Sequence, residues 1–360
     1  MNNDKKNILV WLPSPMGDAV MSTPALRAIR EHRRGCRITF LSGKTVREII
    51  SPCSFSDCWI EPESANPFRL ALQLRKYDFS EAILLKNSFG SALTVFLAGI
   101  PVRTGYKRDG RGLLLTNRIT PPREGLSRFR PECMVDYYLR IALFTGCRTD
   151  NRRLELSTED SLCSKIRDRF SLQEGRPAAV LVPGGAFGPS KYWPAERYAK
   201  TAQWLIENHN ASVIVCVSQD PQELETAQRI EQLCPHPVIN LGSSPVRLNE
   251  LKAVISISNI VIANDTGPRH IAIALKRPVV TLFGPNDPAW TDTGYEREIQ
   301  IAGSASCVPC NEPLCSQTNN LCMESITVEE VCSAAETLLN RREPEAPPAH
   351  RHLFGGGGSP

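Results

Sequence analysis

Short apolar runs alternate with helical patterns along the first half of the chain. Residues 7–12, 37–41 and 81–85 are short and mostly apolar, as expected of parallel strands that are buried on both faces. Residues 19–33, between the first two runs, carry apolar side chains at helical spacing. We therefore predict a first α/β unit in which parallel strands alternate with helices.

The pattern restarts after a polar interval at residues 151–176. Strands are predicted at residues 177–182, 212–217, 260–263 and 279–283, with a helix at residues 195–208. Because 360 residues exceed the usual size of one hydrophobic core, we predict two α/β domains, at residues 1–165 and 166–342. The last helix could pack back on the first domain. Residues 343–360, which are rich in Pro and Gly, are predicted to be a flexible tail.

Composition narrows the class of protein. With 41% hydrophobic and 22% charged residues, the chain does not fit the disordered or fibrous classes. The longest apolar stretch is interrupted by Gly99 and Pro101 and is too short to span a membrane. The N-terminal residues are predicted to lead into a strand and not to form an export signal. Thirteen cysteines, mostly isolated in apolar segments, favour reduced thiols and a cytoplasmic location.

Charge is unevenly distributed along the chain. A net charge of +4 is too small to favour nucleic acid as a partner. Residues 103–130, however, hold eight Lys or Arg against Asp109 and Glu124. This basic segment is either a solvated loop face or a patch for an anionic substrate or a membrane surface.

Three strand-to-helix turns carry candidate chemistry, because ligands of doubly wound sheets bind at the carboxyl ends of the strands. In the first turn, Gly17 permits a tight backbone and Asp18 lies at the start of a helix. In the second, three glycines precede Lys191, which we expect to be a mobile cation beside a diphosphate. This turn matches neither GxxxxGK[ST] nor GxGxxG, so neither NTP hydrolysis nor hydride transfer is indicated.

The third turn places Asp265, Thr266 and Gly267 at a helix start whose free amides favour an anion. His270 follows about one turn inside that helix. Each of these residues also has a purely structural interpretation. Asp18 could simply cap its helix, the glycines and Lys191 could form a solvated turn, and His270 could be a packed core side chain.

The same turns carry a family resemblance. The chain is similar to the heptosyltransferases of glycosyltransferase family 9, most closely to the type II group, over about residues 7–340. PSPMGDAVMSTPALRAIR resembles the family's Gly-Asp turn, and KNSFGSALTVFLAGIPVRTGYKR resembles the Asn-Ser-Phe, Ala-Gly-Ile-Pro and Arg-Thr-Gly-aromatic run. VPGGAFGPSKYWP and NDTGPRHIAIAL resemble the Phe-Gly-Pro-x-Lys-x-Trp-Pro and Asn-Asp-Ser/Thr-Gly-x-x-His-x-Ala segments. All four occur in the expected order.

This resemblance implies a GT-B architecture, in which two Rossmann-like domains with parallel sheets face a central cleft. It implies an inverting transferase that moves heptose from ADP-L-glycero-D-manno-heptose to the heptosyl-Kdo inner core of lipopolysaccharide, with no metal required for catalysis. The implied partners are the ADP-heptose donor, the lipid A-Kdo-heptose acceptor and, peripherally, the inner leaflet of the cytoplasmic membrane.

The resemblance also implies roles for individual residues. Asp18 is expected to be the general base on the acceptor hydroxyl. Lys191 is expected to stabilise the charge on the departing diphosphate, and Asp265 to hold sugar hydroxyls. The donor is expected to contact Gly185, Phe187, Lys191, Asp220, Glu223, Asp265, Thr266, Gly267 and His270, and the acceptor Ser14, Gly17, Asn87, Ser88 and Arg103.

Two departures from the type II pattern leave the donor open. Gly185 and Ala186 stand where type II enzymes carry Ala and Glu, and Pro268 and Arg269 are unusual in the third turn. Arg269 would either add a phosphate contact or face solvent. A transferase of another nucleotide sugar, a nucleotide-sugar epimerase and an inactive sugar-binding homologue therefore stay as alternatives.

A cysteine cluster near the end of the second domain is a separate feature. Its spacing is C-x2-C-x4-C-x6-C, which could close a tetrahedral structural zinc site with no open position for catalysis. Two disulfides or four unligated thiols are the alternatives. The four residues are Cys307, Cys310, Cys315 and Cys322.

Overall fold

A computed structural model of the chain describes residues 6–124, 128–317 and 319–341. The tail predicted at residues 343–360 lies outside the described residues, as do residues 125–127 of the basic segment. The described chain forms two six-stranded parallel sheets and one short two-stranded hairpin. The predicted α/β class with two parallel sheets is confirmed.

The first sheet has the strand order β3-β2-β1-β4-β5-β6. Its central strand β1 pairs with β2 on one side and β4 on the other, so that Val10 lies between Phe40 and Ile83. The strands are β1 (Asn7–Trp11), β2 (Arg37–Leu41), β3 (Cys58–Ile60), β4 (Glu81–Leu84), β5 (Val102–Tyr106) and β6 (Asn117–Ile119), and the hairpin is β7 (Arg123–Glu124) with β8 (Arg128–Phe129). The helices are α1 (Met16–Met21), α2 (Thr23–His32), α3 (Lys44–Ile50), α4 (Pro67–Leu74), α5 (Phe89–Leu97), α6 (Met134–Phe144) and α7 (Asp160–Arg169), with 3₁₀ turns at Arg75–Tyr77 and Arg111–Leu114.

The second sheet repeats this order as β11-β10-β9-β12-β13-β14. Its strands are β9 (Ala178–Val182), β10 (Ser212–Val215), β11 (Ile239–Asn240), β12 (Ile260–Asn264), β13 (Val279–Phe283) and β14 (Glu298–Ala302). Its helices are α8 (Ala195–His209), α9 (Pro221–Leu233), α10 (Leu248–Ser256), α11 (Gly267–Ala274), α12 (Leu321–Glu324) and α13 (Val328–Asn340), with 3₁₀ turns at Pro189–Lys191 and Pro288–Trp290.

Two sequence predictions about helices need correction. The helix predicted at residues 19–33 is split into α1 and α2, because Pro24 has no N–H to donate to the Val20 carbonyl. The Thr23 hydroxyl donates to that carbonyl instead, at 2.7 Å. The last helix, α13, packs on α8 and on β12, β13 and β14, because its apolar side covers the second sheet and not the first domain.

The two halves share a continuous core. The largest hydrophobic cluster runs from Val10 and Leu26 in the first half to Val180 and Ala263 in the second. Helix α10 packs on α3 and α7, and the predicted boundary at residues 165–166 falls within α7. Lys252 of α10 is 1% exposed and donates from Nζ to the carbonyl of Ile49, at 3.0 Å, and to that of Ser51. One buried cation therefore binds the C-terminal end of α3 to the second half.

Candidate active site

The turns singled out in the sequence follow the central strands of the two sheets. Strand order reverses between β1 and β4 in the first sheet and between β9 and β12 in the second. Side chains after such neighbouring strands border the crevice in which ligands of doubly wound sheets bind. A cavity of about 930 Å³ lies there, lined by residues 15–17 of the first half and by residues of the second. The volume suits a nucleotide-sized ligand.

Close contact between the halves explains one of the glycines. A Cβ on Gly17 would lie 3.0 Å from Cδ2 of His270, and α1 packs on α11. A second close approach occurs within the second half, where a Cβ on Gly185 would lie 2.5 Å from Cγ2 of Thr266. Glycine at these positions lets the turns of the site touch each other.

Asp18 does not cap its helix. It lies in the first turn of α1, whose N-cap is Pro15 without a side-chain hydrogen bond, and it directly follows the cavity-lining Gly17. Tyr138 of α6 donates its hydroxyl to Oδ1 of Asp18 at 3.1 Å. Burial raises the pKa of the Asp18 carboxyl above its usual range, and the Tyr138 hydrogen bond acts in the opposite direction. Burial also raises the pKa of Tyr138, which therefore stays protonated and can donate.

The sequence suggested that Lys191 is a mobile cation, but the structure shows that it is fixed. Only 6% of it is exposed, because its Nζ donates to the backbone carbonyl of Asp265 at 2.7 Å and to Oδ2 at 3.2 Å. The Nζ also lies 4.6 Å from the centre of the Phe187 ring, a distance at which a cation is attracted to the ring face. Phe187 and Asp265 both line the cavity. The ammonium group is thus fixed next to two cavity-lining residues, while Lys191 itself is not among the residues that line the cavity.

Asp265 is the centre of a buried charge network. Its Oδ1 accepts from Arg269 at 2.9 Å and from Thr291 at 3.0 Å. Burial by itself would raise the pKa of this carboxyl, but the charges of Lys191 and Arg269 lower the pKa to about 2. Asp265 is therefore ionised throughout the physiological range.

Arg269 neither faces solvent nor reaches the cavity, contrary to both sequence interpretations. It is completely buried and pairs with Glu298 of β14, with Nε to Oε1 at 2.7 Å and a second N–H to Oε2 at 3.2 Å. The side chain of Glu298 is itself 1% exposed and also accepts from Thr281. A bidentate pair of this kind fixes the guanidinium plane, and an N–H of the third guanidinium nitrogen positions Asp265.

His270 is a neutral, packed side chain in this environment. Its Nε2 lies 3.9 Å from Oδ1 of Asp265, and the ring is 3% exposed. Burial, reinforced by the charge of Arg269, lowers the pKa of the imidazole to about 3. A neutral ring can donate or accept a hydrogen bond but supplies no positive charge to a phosphate.

Asp220 and Glu223 are the two acidic residues after β10 that were expected to contact the donor. Asp220 is the N-cap of α9, and its carboxylate accepts from the amides of Gln222 and Glu223. Glu223 is 6% exposed, and its Oε2 accepts from the amide of Ser218 at 2.7 Å. Both residues line the cavity. Both capping amides bond Oδ1 of Asp220, so that each of the two carboxylates keeps one oxygen for a ligand.

The turn after β4 is held by an arginine that the sequence did not single out. Arg111 is completely buried and donates to the Lys86 carbonyl at 2.7 Å and to Oδ1 of Asn87 at 2.7 Å. Ser88 is the N-cap of α5, where its hydroxyl accepts from the amide of Ser91. Asn87 and Ser88 thus have fixed positions at the carboxyl end of β4, next to the end of β1.

Ser14 and Arg103, two further residues expected to contact the acceptor, lie in other surroundings than Asn87 and Ser88. Ser14 is exposed in the loop between β1 and α1. Arg103 donates to the carbonyl of Leu114 at 2.7 Å and to those of Ile100 and Pro101. Its guanidinium therefore has a structural function on the first sheet, and the geometry does not bring it to the cavity.

The cysteine cluster consists of free thiols. All 13 cysteines lie in the part of the chain that the structure describes, and each is a free thiol. Within the same residues, no group of three or more His, Cys, Asp or Glu side chains is arranged to hold a metal ion. Cys307 is exposed whereas Cys322 is buried. Burial raises the pKa of the Cys322 thiol, and the proximity of Cys307, Cys315 and Cys310 raises it further. The structural zinc site stays a prediction.

None of the helices described, across residues 6–124, 128–317 and 319–341, is long and apolar enough to cross a membrane.

Comparison with known proteins gives one consistent family. The family model of glycosyltransferase family 9 (heptosyltransferase) matches residues 67–320. The chain is 30% identical over 306 residues to the lipopolysaccharide heptosyltransferase 2 of Escherichia coli strain K12, which covers 79% of this chain and 84% of that protein.

Solved structures agree with that result. The structure of E. coli ADP-heptose lipopolysaccharide heptosyltransferase II has a TM-score of 0.76 and 27% identity, and the match covers 92% of this chain and 98% of that one. A family 9 glycosyltransferase from Veillonella parvula shares the fold, with a TM-score of 0.79 at 21% identity over 94% and 98% of the two chains. The fold is therefore GT-B, and the chain belongs to glycosyltransferase family 9, the heptosyltransferases.

Proposed function

We propose that the protein is an inverting glycosyltransferase that moves heptose from ADP-L-glycero-D-manno-heptose to the heptosyl-Kdo inner core of lipopolysaccharide. One observation carries the proposal. The turn that leads to Asp18 in the first half and Asp265, the ion-pair partner of Lys191, in the second half border a single cavity large enough for a nucleotide sugar.

Asp18 is proposed as the general base. Burial raises the pKa of its carboxyl, which makes the ionised form a stronger base than an exposed aspartate. The acceptor hydroxyl would give its proton to Asp18 as its oxygen attacks the anomeric carbon. The bond from that carbon to the diphosphate oxygen breaks on the opposite face, and ADP leaves with the electron pair. Attack from the face opposite ADP inverts the anomeric centre.

Lys191 and the N terminus of α11 are proposed to stabilise the leaving diphosphate. The free amides at the start of α11, near Thr266 and Gly267, lie beside the cavity. Lys191 adds a positive charge, which the ionised Asp265 holds in place. These groups supply the positive charge that the departing diphosphate needs, and the proposed reaction therefore requires no metal ion. Asp265 would also accept hydrogen bonds from hydroxyls of the donor sugar, and Glu223 would accept them from hydroxyls of the ribose.

The acceptor is proposed to bind on the first half, beside Ser14, Gly17, Asn87 and Ser88. These residues follow β1 and β4, the two strands that flank the reversal of strand order. Because this acceptor is a glycolipid, we propose that the protein works in the cytoplasm and contacts the inner leaflet of the membrane peripherally.

The test is product formation followed by mass spectrometry, with ADP-heptose and heptosyl-Kdo-lipid A. We expect transfer by the unaltered protein and a loss of about 100-fold or more in Asp18→Asn, with donor binding retained. Asp160→Asn, a matched change in the first turn of α7, should leave the rate unchanged. Consumption of another nucleotide sugar in place of ADP-heptose would overturn the donor assignment, and an active Asp18→Asn variant would overturn the role of the base.

A further inference from the structure

Helices α4 and α5 pack side by side on one side of the first sheet. Their inward residues, such as Leu70 and Leu74 of α4 and Val95 of α5, form one cluster with alternate residues of β1 and β4. Near their N-terminal ends the helices touch, where Pro67 lies 3.7 Å from the position of a Cβ on Gly90. Their outer sides therefore form one continuous surface.

This outer surface is unusually apolar. Phe68 and Leu72 lie one turn apart on α4 and are 62% and 60% exposed. Phe89 and Phe96 lie two turns apart on α5, and both are exposed. Leu113, in the 3₁₀ turn that packs on α5, is 84% exposed. These five residues, which we call the apolar face, leave uncovered a contiguous patch of the kind that marks a protein or membrane contact.

Cations border the apolar face. Segments 67–78 and 102–118, which contain or adjoin it, carry eight Lys or Arg against two Asp. Arg111 is buried, and five of the eight are exposed, namely Arg69, Arg75, Lys76, Lys107 and Arg118. Arg69 lies between Phe68 and Leu72 in sequence and is exposed, as is Lys76 at the end of α4. The guanidinium of Arg103 lies 5.5 Å from the centre of the Phe96 ring. An apolar patch with a basic border fits an interface that is anionic outside and hydrocarbon inside.

We propose that the apolar face docks on an anionic lipid bilayer, with its aromatic and leucine side chains in the interface and the bordering cations on the headgroups. This surface deepens the proposed function, on which its biological purpose rests, because the acceptor proposed there is a glycolipid. A second copy of the chain is a poorer partner, since a twofold contact would place the same cations against each other.

Position in the fold relates this face to the catalytic cavity. Helix α5 begins at Phe89, directly after Asn87 and Ser88 at the carboxyl end of β4. The neighbouring strand β1 leads into the turn that carries Asp18. The end of the apolar face at Phe89 thus adjoins the carboxyl edge of the sheet where the proposed acceptor residues lie, so that a sugar attached to a lipid in a bilayer on this face can reach the cavity.

Co-sedimentation of the full chain with vesicles tests the docking surface. The vesicles contain 75% phosphatidylethanolamine and 25% phosphatidylglycerol, and pure phosphatidylcholine vesicles serve for comparison. We expect Phe68→Ser/Leu72→Ser to reduce binding to the anionic vesicles about tenfold or more. Arg69→Gln/Lys76→Gln should reduce it about fivefold for each cation and weaken its dependence on salt.

The matched control is Leu143→Ser/Phe144→Ser on α6. These side chains are 47% and 52% exposed, but α6 packs with α2 on the opposite side of the first sheet. The control should bind vesicles like the unaltered protein. Equal binding by the α4 variant, equal loss in the control, or a change in oligomeric state of the α4 variant by sedimentation velocity would each overturn the proposal.

A soluble acceptor separates docking from catalysis. With a deacylated heptosyl-Kdo oligosaccharide, Phe68→Ser/Leu72→Ser should transfer heptose at the rate of the unaltered protein, and with acceptor in anionic vesicles it should be at least tenfold slower. Equal rates on both acceptors would refute docking while the proposed function stands. If the unaltered protein is inactive on both acceptors but its vesicle binding depends on the apolar face, the function fails and the docking surface is retained.

Discussion

Tyr138→Phe is the sharpest test of how the site sets the strength of its base. The change removes one hydroxyl, which donates to Oδ1 of Asp18 at 3.1 Å, and leaves the ring in place. Hydrogen bonds to charged groups contribute about 1.5–3 kcal/mol. Since about 1.4 kcal/mol corresponds to a tenfold change in an ionisation constant, the loss should weaken the acidity of Asp18 tenfold or more.

The direction of the shift in the pH profile depends on which protonation form of Asp18 reacts. The base must be ionised, so activity falls as the pH drops through the pKa of Asp18. The Tyr138 hydrogen bond favours the ionised form and lowers that pKa. Its removal should therefore move the acidic limb of the kcat/KM profile to higher pH by about one unit or more, while rates well above that limb approach those of the unaltered protein.

Tyr106→Phe is the matched control. Tyr106 is also a buried tyrosine, but its hydroxyl donates to the backbone carbonyl of Tyr137 at 2.8 Å, not to Asp18. Its removal should leave the acidic limb unchanged. A uniform loss of rate at every pH in Tyr138→Phe, with the acidic limb in its original place, would show that Tyr138 only packs against the turn and would refute the reasoning.

Three further changes test the buried charges and the close approaches. Arg269→Met leaves Glu298 buried without its ion-pair partner and should lower the free energy of unfolding, measured in urea, by about 3–5 kcal/mol. The double variant Arg269→Met/Glu298→Gln should recover at least half of that loss. A loss below about 1 kcal/mol in the single variant would contradict the importance of the pair. Burial lowers the pKa of Lys252 to about 8 from 10.5. Between these two pH values the unfolded chain binds more protons than the folded chain, so the free energy of unfolding should rise with pH across that window. Lys252→Met should abolish the rise, and an unchanged pH dependence in this variant would contradict the lowered pKa of Lys252. A Cβ at Gly184 would lie 2.3 Å from Cδ of Glu223, so Gly184→Ala should raise KM for the donor about tenfold with little change in kcat. Gly35→Ala is the control, because a Cβ there meets nothing within 4 Å, and it should leave KM and kcat unchanged.

Local sequence determined the fold class and most of the turns of the site. The apolar runs at β1, β9, β12 and β13 are short and β-branched, which specifies buried parallel strands without knowledge of their neighbours. Glycines and an acidic residue directly after such strands mark the turns in which ligands of this fold class bind. The α/β class and the three turns could therefore be predicted from spacing alone, and the resemblance to family 9 added the roles expected of their residues.

The tertiary structure decided which partners the charged side chains have. Tyr138 lies 120 residues from Asp18, and Glu298 lies 29 residues from Arg269, on strand β14. No local pattern distinguishes these residues from ordinary members of an amphipathic helix or a buried strand. The interpretations of Lys191 as mobile and of Arg269 as solvent-facing failed for this reason. Whether a cation is exposed, catalytic or structural depends on which carboxylates and carbonyls the fold brings within hydrogen-bonding distance, and only folding establishes that set.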